Sequence, residues 1–575
     1  MLQPASQSYS TALSLNGNSG VPADGPLART NLDDALYLRC YFYWLSTALL
    51  CDVDVGAGRL AKFFLKRCSF PHCSIPLGRV FFFMDIPPLL SERIGQSGQS
   101  ACLAFWDRLN PVSQARLLHQ LQALDWDQLD VLRELVSSPI ATDAGLTENL
   151  SNATTPACLQ VGNPLNAPSP AQALARGSLA LAKGTVGAIL VAGGQGTRLG
   201  CAGPKGLYAI GPVSQASLFE MLLGKLLGVR RRFGKDVPLA IMTSSATDAD
   251  THAYLRSHAY CGLDPAHVFV FCQQDLPALD AATGCLLLEA SDRVAVAPDG
   301  HGGMLGALSQ SGGLDWFAQR GTEQIVSFQV DNPLAMPLDR EFLGYHLLCQ
   351  ADFSTQIVRK LDPAQRVGVV VAHAGTHRVV EYSDLPATLA SERLANGRLR
   401  FDAGSIAVHA FAKSFLDRVA AIPNALPLHR ALKAVPVWDA SGRQVVPHAP
   451  NAVKFERFIF DLMPLAHRVC VVEVPASQGF APLKNPSGAA SDSPQHVRAA
   501  LVQHARTQLE KAGVFVADGI DVELDAATIL DHEDIGRVLL PGSRIDRPQV
   551  VGGEASRQPA DRTTQNVLHP LPRRQ

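Results

Sequence analysis

The run Val191-Ala192-Gly193-Gly194-Gln195-Gly196-Thr197-Arg198-Leu199-Gly200, followed closely by Pro204-Lys205-Gly206, is where the chain concentrates residue types suited to chemistry. Glycine has no Cβ, so the backbone N–H groups of Gly193, Gly194 and Gly196 can approach a phosphate closely. Arg198 and Lys205 add positive charge where a triphosphate would lie. Two familiar phosphate loops are excluded by position. A dinucleotide fingerprint requires glycine where Leu199 stands. A Walker loop requires lysine directly after glycine and before Ser or Thr, whereas Lys205 sits between Pro204 and Gly206.

Shorter segments follow downstream. They are Ile241-Met242-Thr243-Ser244, Phe271-Cys272-Gln273-Gln274 with Pro277-Ala278, Pro298-Asp299-Gly300-His301-Gly302-Gly303 and Val330-Asp331-Asn332-Pro333-Leu334. Beyond these lie Val379-Val380-Glu381-Tyr382, Ala403-Gly404-Ser405-Ile406, Lys454-Phe455-Glu456 and Pro482-Leu483-Lys484-Asn485. With the glycine loop, and in this order, the set resembles the signature of the UTP:sugar-1-phosphate uridylyltransferases, and within them the UDP-N-acetylglucosamine pyrophosphorylases. The resemblance runs from about Gly98 to at least Arg498.

The resemblance implies attack by a sugar-1-phosphate oxygen on the α-phosphorus of UTP, with pyrophosphate leaving. Two polyanions must meet, so the protein supplies alignment and positive potential rather than a covalent nucleophile. On this reading Arg198, Lys205 and Lys484 form the catalytic set. Gly193, Gly194, Gly196, Thr197, Gln273, Gly300 and His301 bind the nucleotide, and the carboxamide of Gln273, able to donate and accept, reads uracil. Glu381, Ser405 and Lys454 serve the sugar phosphate. Asp331 holds Mg²⁺ with few other protein ligands, because Mg²⁺ prefers carboxylate, phosphate and water oxygens. His409 and His429 read as structural histidines.

Two positions depart from the family pattern. His301 and Ser405 stand where the resemblance leads one to expect asparagine. Serine is shorter and offers a hydroxyl in place of a carboxamide, so a sugar contact is lost or passes to water. N-acetylglucosamine-1-phosphate is the first expectation for the sugar, with glucose-1-phosphate or a broad hexose-1-phosphate range as the alternative. A silenced homologue that binds nucleotide sugar and regulates a partner is a rival of another class, although Arg198, Lys205 and Asp331 are all present. A NAD-dependent oxidoreductase is disfavoured by the failed fingerprint.

These motifs need a scaffold that presents loops at one edge. Val186–Val191, Leu239–Thr243, Val268–Phe271 and Glu323–Val330 read as buried strands. Gln215–Leu227 and Asp248–His258 read as the helices between them. This alternation predicts an α/β fold, a doubly wound, mainly parallel Rossmann-like nucleotidyltransferase sheet, whose ligands bind beyond the carboxyl ends of the strands. Leu103, Phe105, Trp106 and Leu109 share a helical face. Pro111 opens a second helix with Leu117, Leu118, Leu121 and Leu124, and Trp126–Leu135 reads as a third. The expected organisation is an extension of unknown fold over 1–92, a helical N-terminal part over 93–185, a catalytic domain over 186–475, and a small β-rich C-terminal domain with a frayed tail over 476–575. Residues 138–170 read as a linker. The segment before about Asp85 has no place in the family pattern, which suggests an unrelated extension or a start at Met84.

Composition sets outer limits. The chain has 575 residues, 47% of them hydrophobic, so it can bury a large core. Its net charge of -2 argues against a global electrostatic grip on nucleic acid or anionic membrane, so the anion site must be local. The longest candidate apolar run, from Cys40 to Cys51, stops at Asp52 and lacks a basic leader. The 12 cysteines are scattered, and Cys68, His72 and Cys73 have no answering pair at zinc spacing. A cytoplasmic protein with reduced thiols and small-molecule substrates is expected; the oligomeric state is not encoded legibly.

Overall fold

The computed structural model describes residues 84–138, 147–148, 150–439 and 441–553. The readings made for residues before Met84, the Cys68–His72–Cys73 group among them, lie outside these, as does the tail beyond residue 553. The first described helix, Pro88–Gln96, runs across the expected boundary at residue 92.

The centre is a large sheet. In spatial order its strands are Leu159–Gln160, Val469–Glu473, Phe353–Arg359, Ala403–Ala412, Gln324–Gln329, Val186–Val191, Leu239–Thr243 and Val268–Cys272. All neighbours pair in parallel except at Ala403–Ala412, which runs antiparallel to both of its neighbours. A hairpin of Val369–His373 and Thr376–Val380 attaches where Val369 pairs with Gly404. Leu159–Gln160 is an edge strand inside the segment expected to be a linker.

Helices cover both faces, and the strands show this residue by residue. Ala188, Leu190, Leu239, Ile241, Val326 and Phe328 join one core, while Ile189, Ala240, Met242 and Ile325 join the other. Such continuous apolar runs are what a doubly covered parallel strand requires. On the first face Pro170–Lys183 crosses Arg340–Leu348 so closely that a Cβ on Gly177 would lie 1.9 Å from the Arg340 carbonyl oxygen, and one on Gly344 would lie 1.8 Å from that of Ala173. Leu218–Phe233 lies beside them. It starts at a capping box, Ser217 with Glu220, and stops at Gly234, held at φ 71°. It therefore runs past the expected end at Leu227, through Gly228, where a Cβ would meet the Ala526 carbonyl oxygen at 2.6 Å.

The N-terminal part is helical, though Leu103, Phe105, Trp106 and Leu109 lie on and around two short 3₁₀ turns rather than one α-helix. Helices Pro111–Ala123 and Trp126–Ser137 follow, capped by Asn110 and Asp125. They pack on Leu276, Leu279, Leu286, Leu288 and Val294, in the excursion after strand Val268–Cys272.

The longest C-terminal element is an unexpected helix, Pro494–Lys511. Beyond it, Phe515–Val516 pairs with Arg544–Ile545 and Val522–Leu524 with Gln549–Val551 around a small separate core. This module grips the loops and helices over the central sheet. Buried Glu523 accepts from the Val213 and Ser214 amides and the Ser214 hydroxyl, and Arg498 donates to the Ala209 carbonyl. Asp531 accepts from both Arg232 and Arg340.

Candidate active site

The parallel strands end at one edge, and most of the motif residues gather there. Val191 leads into the glycine loop, Thr243 into Ser244, Cys272 into Gln273, and Gln329 into Asp331. The antiparallel strand contributes its opposite end, Ala403-Gly404-Ser405, because Ala403 pairs with Arg359.

The glycine loop closes on itself. The Gly196 amide donates to the Gly203 carbonyl at 2.9 Å, and the Lys205 amide to that of Gly194 at 3.0 Å. Gly203, at φ 98°, makes the return possible. The Gly196 amide is thus spent inside the loop, contrary to its expected role as a phosphate donor. The Gly193 and Gly194 amides donate to no acceptor among the described residues. Ser244 Oγ donates to the Gly193 carbonyl at 2.8 Å and ties the loop to the next strand. Gln273 reaches the same spot: a Cβ on Gly193 would lie 2.6 Å from its Nε2. The Gln273 side chain is buried, and its Oε1 has no partner among the described residues. A buried carboxamide with an unused acceptor, facing the loop, suits a nucleobase edge.

Lys205 and Asp331 come together, with Nζ and Oδ2 3.7 Å apart. Gly206 permits this turn, since a Cβ there would fall 2.3 Å from the Phe219 ring. Thr197 and Arg198 lie exposed on the turn Thr197–Leu199, and Arg198 has no ion-pair partner among the described residues. The Asp331 turn is joined directly to the Lys484 motif. The Asp331 carbonyl accepts from the Leu483 amide, Asn332 Nδ2 donates to the Gly479 carbonyl, and Asn332 Oδ1 accepts from the Ala481 amide.

The second glycine loop is seated on the segment after Lys454. A Cβ on Gly300, at φ 84°, would lie 2.5 Å from the Arg457 carbonyl oxygen, and the Gly302 amide donates to that oxygen. Burial pushes Asp299 up to about 7 despite Arg457 nearby, and its Oδ1 has no partner among the described residues. His301 Nδ1 accepts from the Ile459 amide at 3.1 Å, so the ring carries its proton on Nε2. Burial, and then His429, push His301 down to about 4, which keeps it neutral. Its ring stacks on Phe458. Lys454 points away from the N-terminal core that receives its neighbours Val453 and Phe455.

Glu381 and Ser405 meet across Gly368. The Ser405 amide donates to the Gly368 carbonyl, and a Cβ on Gly368 would lie 2.9 Å from Glu381 Oε1. Burial, reinforced by Asp384, raises Glu381, while Lys484 and His429 act against it. Burial pulls His429 down, but its 2.7 Å contact with Asp461 carries it above the usual value. His429 therefore belongs to the charged surroundings of Glu381, where the sequence suggested only a structural role. His409 is fully buried and held down to about 3 by burial; its Nδ1 meets Thr355 Oγ1 at 3.1 Å, while its Nε2 has no partner among the described residues.

Two residues beside the site were not singled out by residue type: Lys225, whose buried Nζ donates to the Pro333 and Ala335 carbonyls just after Asp331, and Asp299. Lys225 interrupts the apolar face of its helix, which was the available signal. Asp299 lay inside a quoted motif without a stated role.

Among the described residues no group of three or more His, Cys, Asp or Glu could hold a metal. One carboxylate facing a triphosphate loop still suits Mg²⁺, a hard cation that takes its other ligands from phosphate and water oxygens.

A profile of the family described as UTP–glucose-1-phosphate uridylyltransferase matches residues 172–516. UDP-N-acetylhexosamine pyrophosphorylase-like protein 1 of Xenopus tropicalis is 34% identical over 438 residues, 74% of this chain and 85% of that protein. UDP-N-acetylglucosamine pyrophosphorylase of Saccharomyces cerevisiae is 34% identical over 380 residues, 65% of this chain and 79% of its own. Among solved structures, the uridine diphosphate N-acetylglucosamine pyrophosphorylase of Trypanosoma brucei, crystallised with an inhibitor, superposes with a TM-score of 0.66 at 26% identity, covering 80% of this chain and 95% of its own.

Proposed function

The chain belongs to the UTP–glucose-1-phosphate uridylyltransferase family, and on that premise we propose that it makes a UDP-sugar and pyrophosphate from UTP and a hexose-1-phosphate, with N-acetylglucosamine-1-phosphate as the favoured acceptor. It is a nucleotidyltransferase. The observation that carries the site reading is the meeting of Lys205 and Asp331, 3.7 Å apart, at the mouth of the glycine loop.

The Gly193 and Gly194 amides face the triphosphate, and Gln273 reads the uracil edge. Lys205 neutralises charge growing on the α-phosphate and the leaving pyrophosphate, and exposed Arg198 swings onto the same phosphates. Lys484, linked to the Asp331 turn through Leu483, brings positive charge to the sugar phosphate, which Lys454 helps to hold. Preorganised charge of this kind lowers the barrier because the donors need no rearrangement as the transition state forms. Glu381 accepts from sugar hydroxyls beside Ser405, and neutral His301 offers an Nε2–H donor from the second glycine loop. Asp331 would hold Mg²⁺, which supplies Lewis-acid charge across the phosphate oxygens.

Ser405 and His301 are the observation that favours a second reading, in which glucose-1-phosphate or a wider range is accepted. A panel of hexose-1-phosphates, with UTP and Mg²⁺ and pyrophosphate release as readout, separates the two. The highest kcat/KM with N-acetylglucosamine-1-phosphate supports the first reading, preference for glucose-1-phosphate the second, and no release with any sugar sinks both.

A further inference from the structure

Lys225 lies in the middle of helix Leu218–Phe233, on the face that carries Leu218, Leu222 and Val229, and only 9% of it is exposed. Among the described residues it has no carboxylate partner. Its Nζ donates instead to the carbonyls of Pro333 at 2.5 Å and Ala335 at 2.6 Å. Those carbonyls turn inward among Val330, Leu334 and Leu338, all buried. An apolar side chain at position 225 would leave both without donors. The same helix also seats the other half of the site, because Phe219 packs against Gly206 in the Lys205 turn. Phe219 and Lys225 are six residues apart, about 9 Å along a helix axis. One rigid element thus sets the spacing between the Lys205 turn and the Asp331 turn.

We propose that Lys225 is a positioning residue for the metal side of the site: its carbonyl bonds fix the Asp331–Ala335 turn, and through Asn332 the segment leading to Lys484, in the geometry that holds a divalent cation against the triphosphate loop. The proposal rests on the reading of Asp331 as the metal ligand. Burial pushes Lys225 down to about 7, but the nitrogen keeps at least two N–H donors in either charge state, so the brace does not depend on its titration.

The test uses Lys225→Met, which matches the length of the side chain and removes the donor to both carbonyls. Mn²⁺ is titrated into the enzyme bound to UDP-N-acetylglucosamine, and free Mn²⁺ is read by electron paramagnetic resonance. The expected result is a folded protein whose melting temperature falls, because the Pro333 and Ala335 carbonyls lose their donor, and whose Mn²⁺ affinity is weakened roughly 10–100-fold. Lys225→Arg, which can donate to both carbonyls, restores binding. Wild-type Mn²⁺ affinity in Lys225→Met overturns the proposal. If that variant does not fold, Lys225→Gln, which keeps one carbonyl bond, is expected to weaken Mn²⁺ binding, and unchanged affinity there overturns it equally. Asp331→Asn separates the two levels. If it leaves Mn²⁺ binding intact, the metal reading of Asp331 falls. If it abolishes binding while Lys225→Met does not, only the role of Lys225 falls.

Discussion

Gly193→Ala tests the contact between the glycine loop and the base-reading side chain. The added Cβ would lie 2.6 Å from Gln273 Nε2 and 3.4 Å from Ser244 Cβ. Only the first distance is too short, and an ordinary contact there requires a shift of about 0.8 Å in the Gln273 carboxamide. The fold tolerates this, since Gln273 is held by its backbone amide on the Thr243 carbonyl while its Oε1 bonds to none of the described residues. Alanine in place of a glycine without positive φ also restricts the unfolded chain, worth about 0.4–1 kcal/mol in favour of folding. Nucleotide binding bears the cost. Displacing one buried polar partner from the base typically loses about 1–3 kcal/mol, or roughly 5- to 150-fold in KM for UTP. Steady-state pyrophosphate release gives that KM, and a melting curve gives stability. A second variant, Gln273→Ala, should raise KM by a similar factor, and the double variant should be no worse than the worse single, because both act through one contact. An unchanged KM in Gly193→Ala, or fully additive losses in the double variant, would refute the assignment of Gln273 to the base.

Lys205→Ala should lower kcat roughly 100- to 1000-fold with the melting temperature retained; turnover near wild type would remove this lysine from the reacting phosphates. Asp299→Asn addresses pH. An acid raised from 3.8 to about 7 by burial binds its proton more tightly folded than unfolded. Its contribution to stability is therefore greatest below about pH 4 and declines as pH rises to about 7. The variant lacks this decline, so its melting temperature should gain on the wild type across that window, and a constant difference would contradict the assignment. Gly344→Ala would set a Cβ 1.8 Å from the Ala173 carbonyl oxygen, and this overpacking should cost at least about 1–3 kcal/mol in urea denaturation. A wild-type midpoint would mean that the two helices separate freely.

The parts of the fold legible in sequence were those buried on both sides. Val186–Val191 and Leu239–Thr243 have the bounds expected from their apolar runs, because both faces of each strand meet a core. Helix Pro494–Lys511 escaped notice because its buried stripe is thin, with Val497, Leu501, Ala505 and Leu509 spaced among Gln, His and Arg. The two-residue strand Leu159–Gln160 carries no pattern at all. In the site, residue types pointed to Lys205 and Asp331, which do meet. They offered no means of ranking the three glycine amides, because the loss of Gly196 depends on where Gly203 turns the chain back. Arg198 shows the reverse limit. A strong motif residue lies exposed and without an ion-pair partner among the described residues, as a group that waits for an anion can do without strain.

The hold of Glu523 on the Val213–Ser214 turn has a temporal side. That turn closes the segment after Lys205, yet the carboxylate that fixes it is encoded 318 residues later (523 − 205). At about 5–20 residues per second, the ribosome takes roughly 15–60 seconds to cover that distance. During this interval the Val213–Ser214 turn exists without its carboxylate partner. A nascent chain stalled before Glu523 would carry the glycine loop, Lys205 and Asp331 but not the carboxylate that holds the Val213–Ser214 turn.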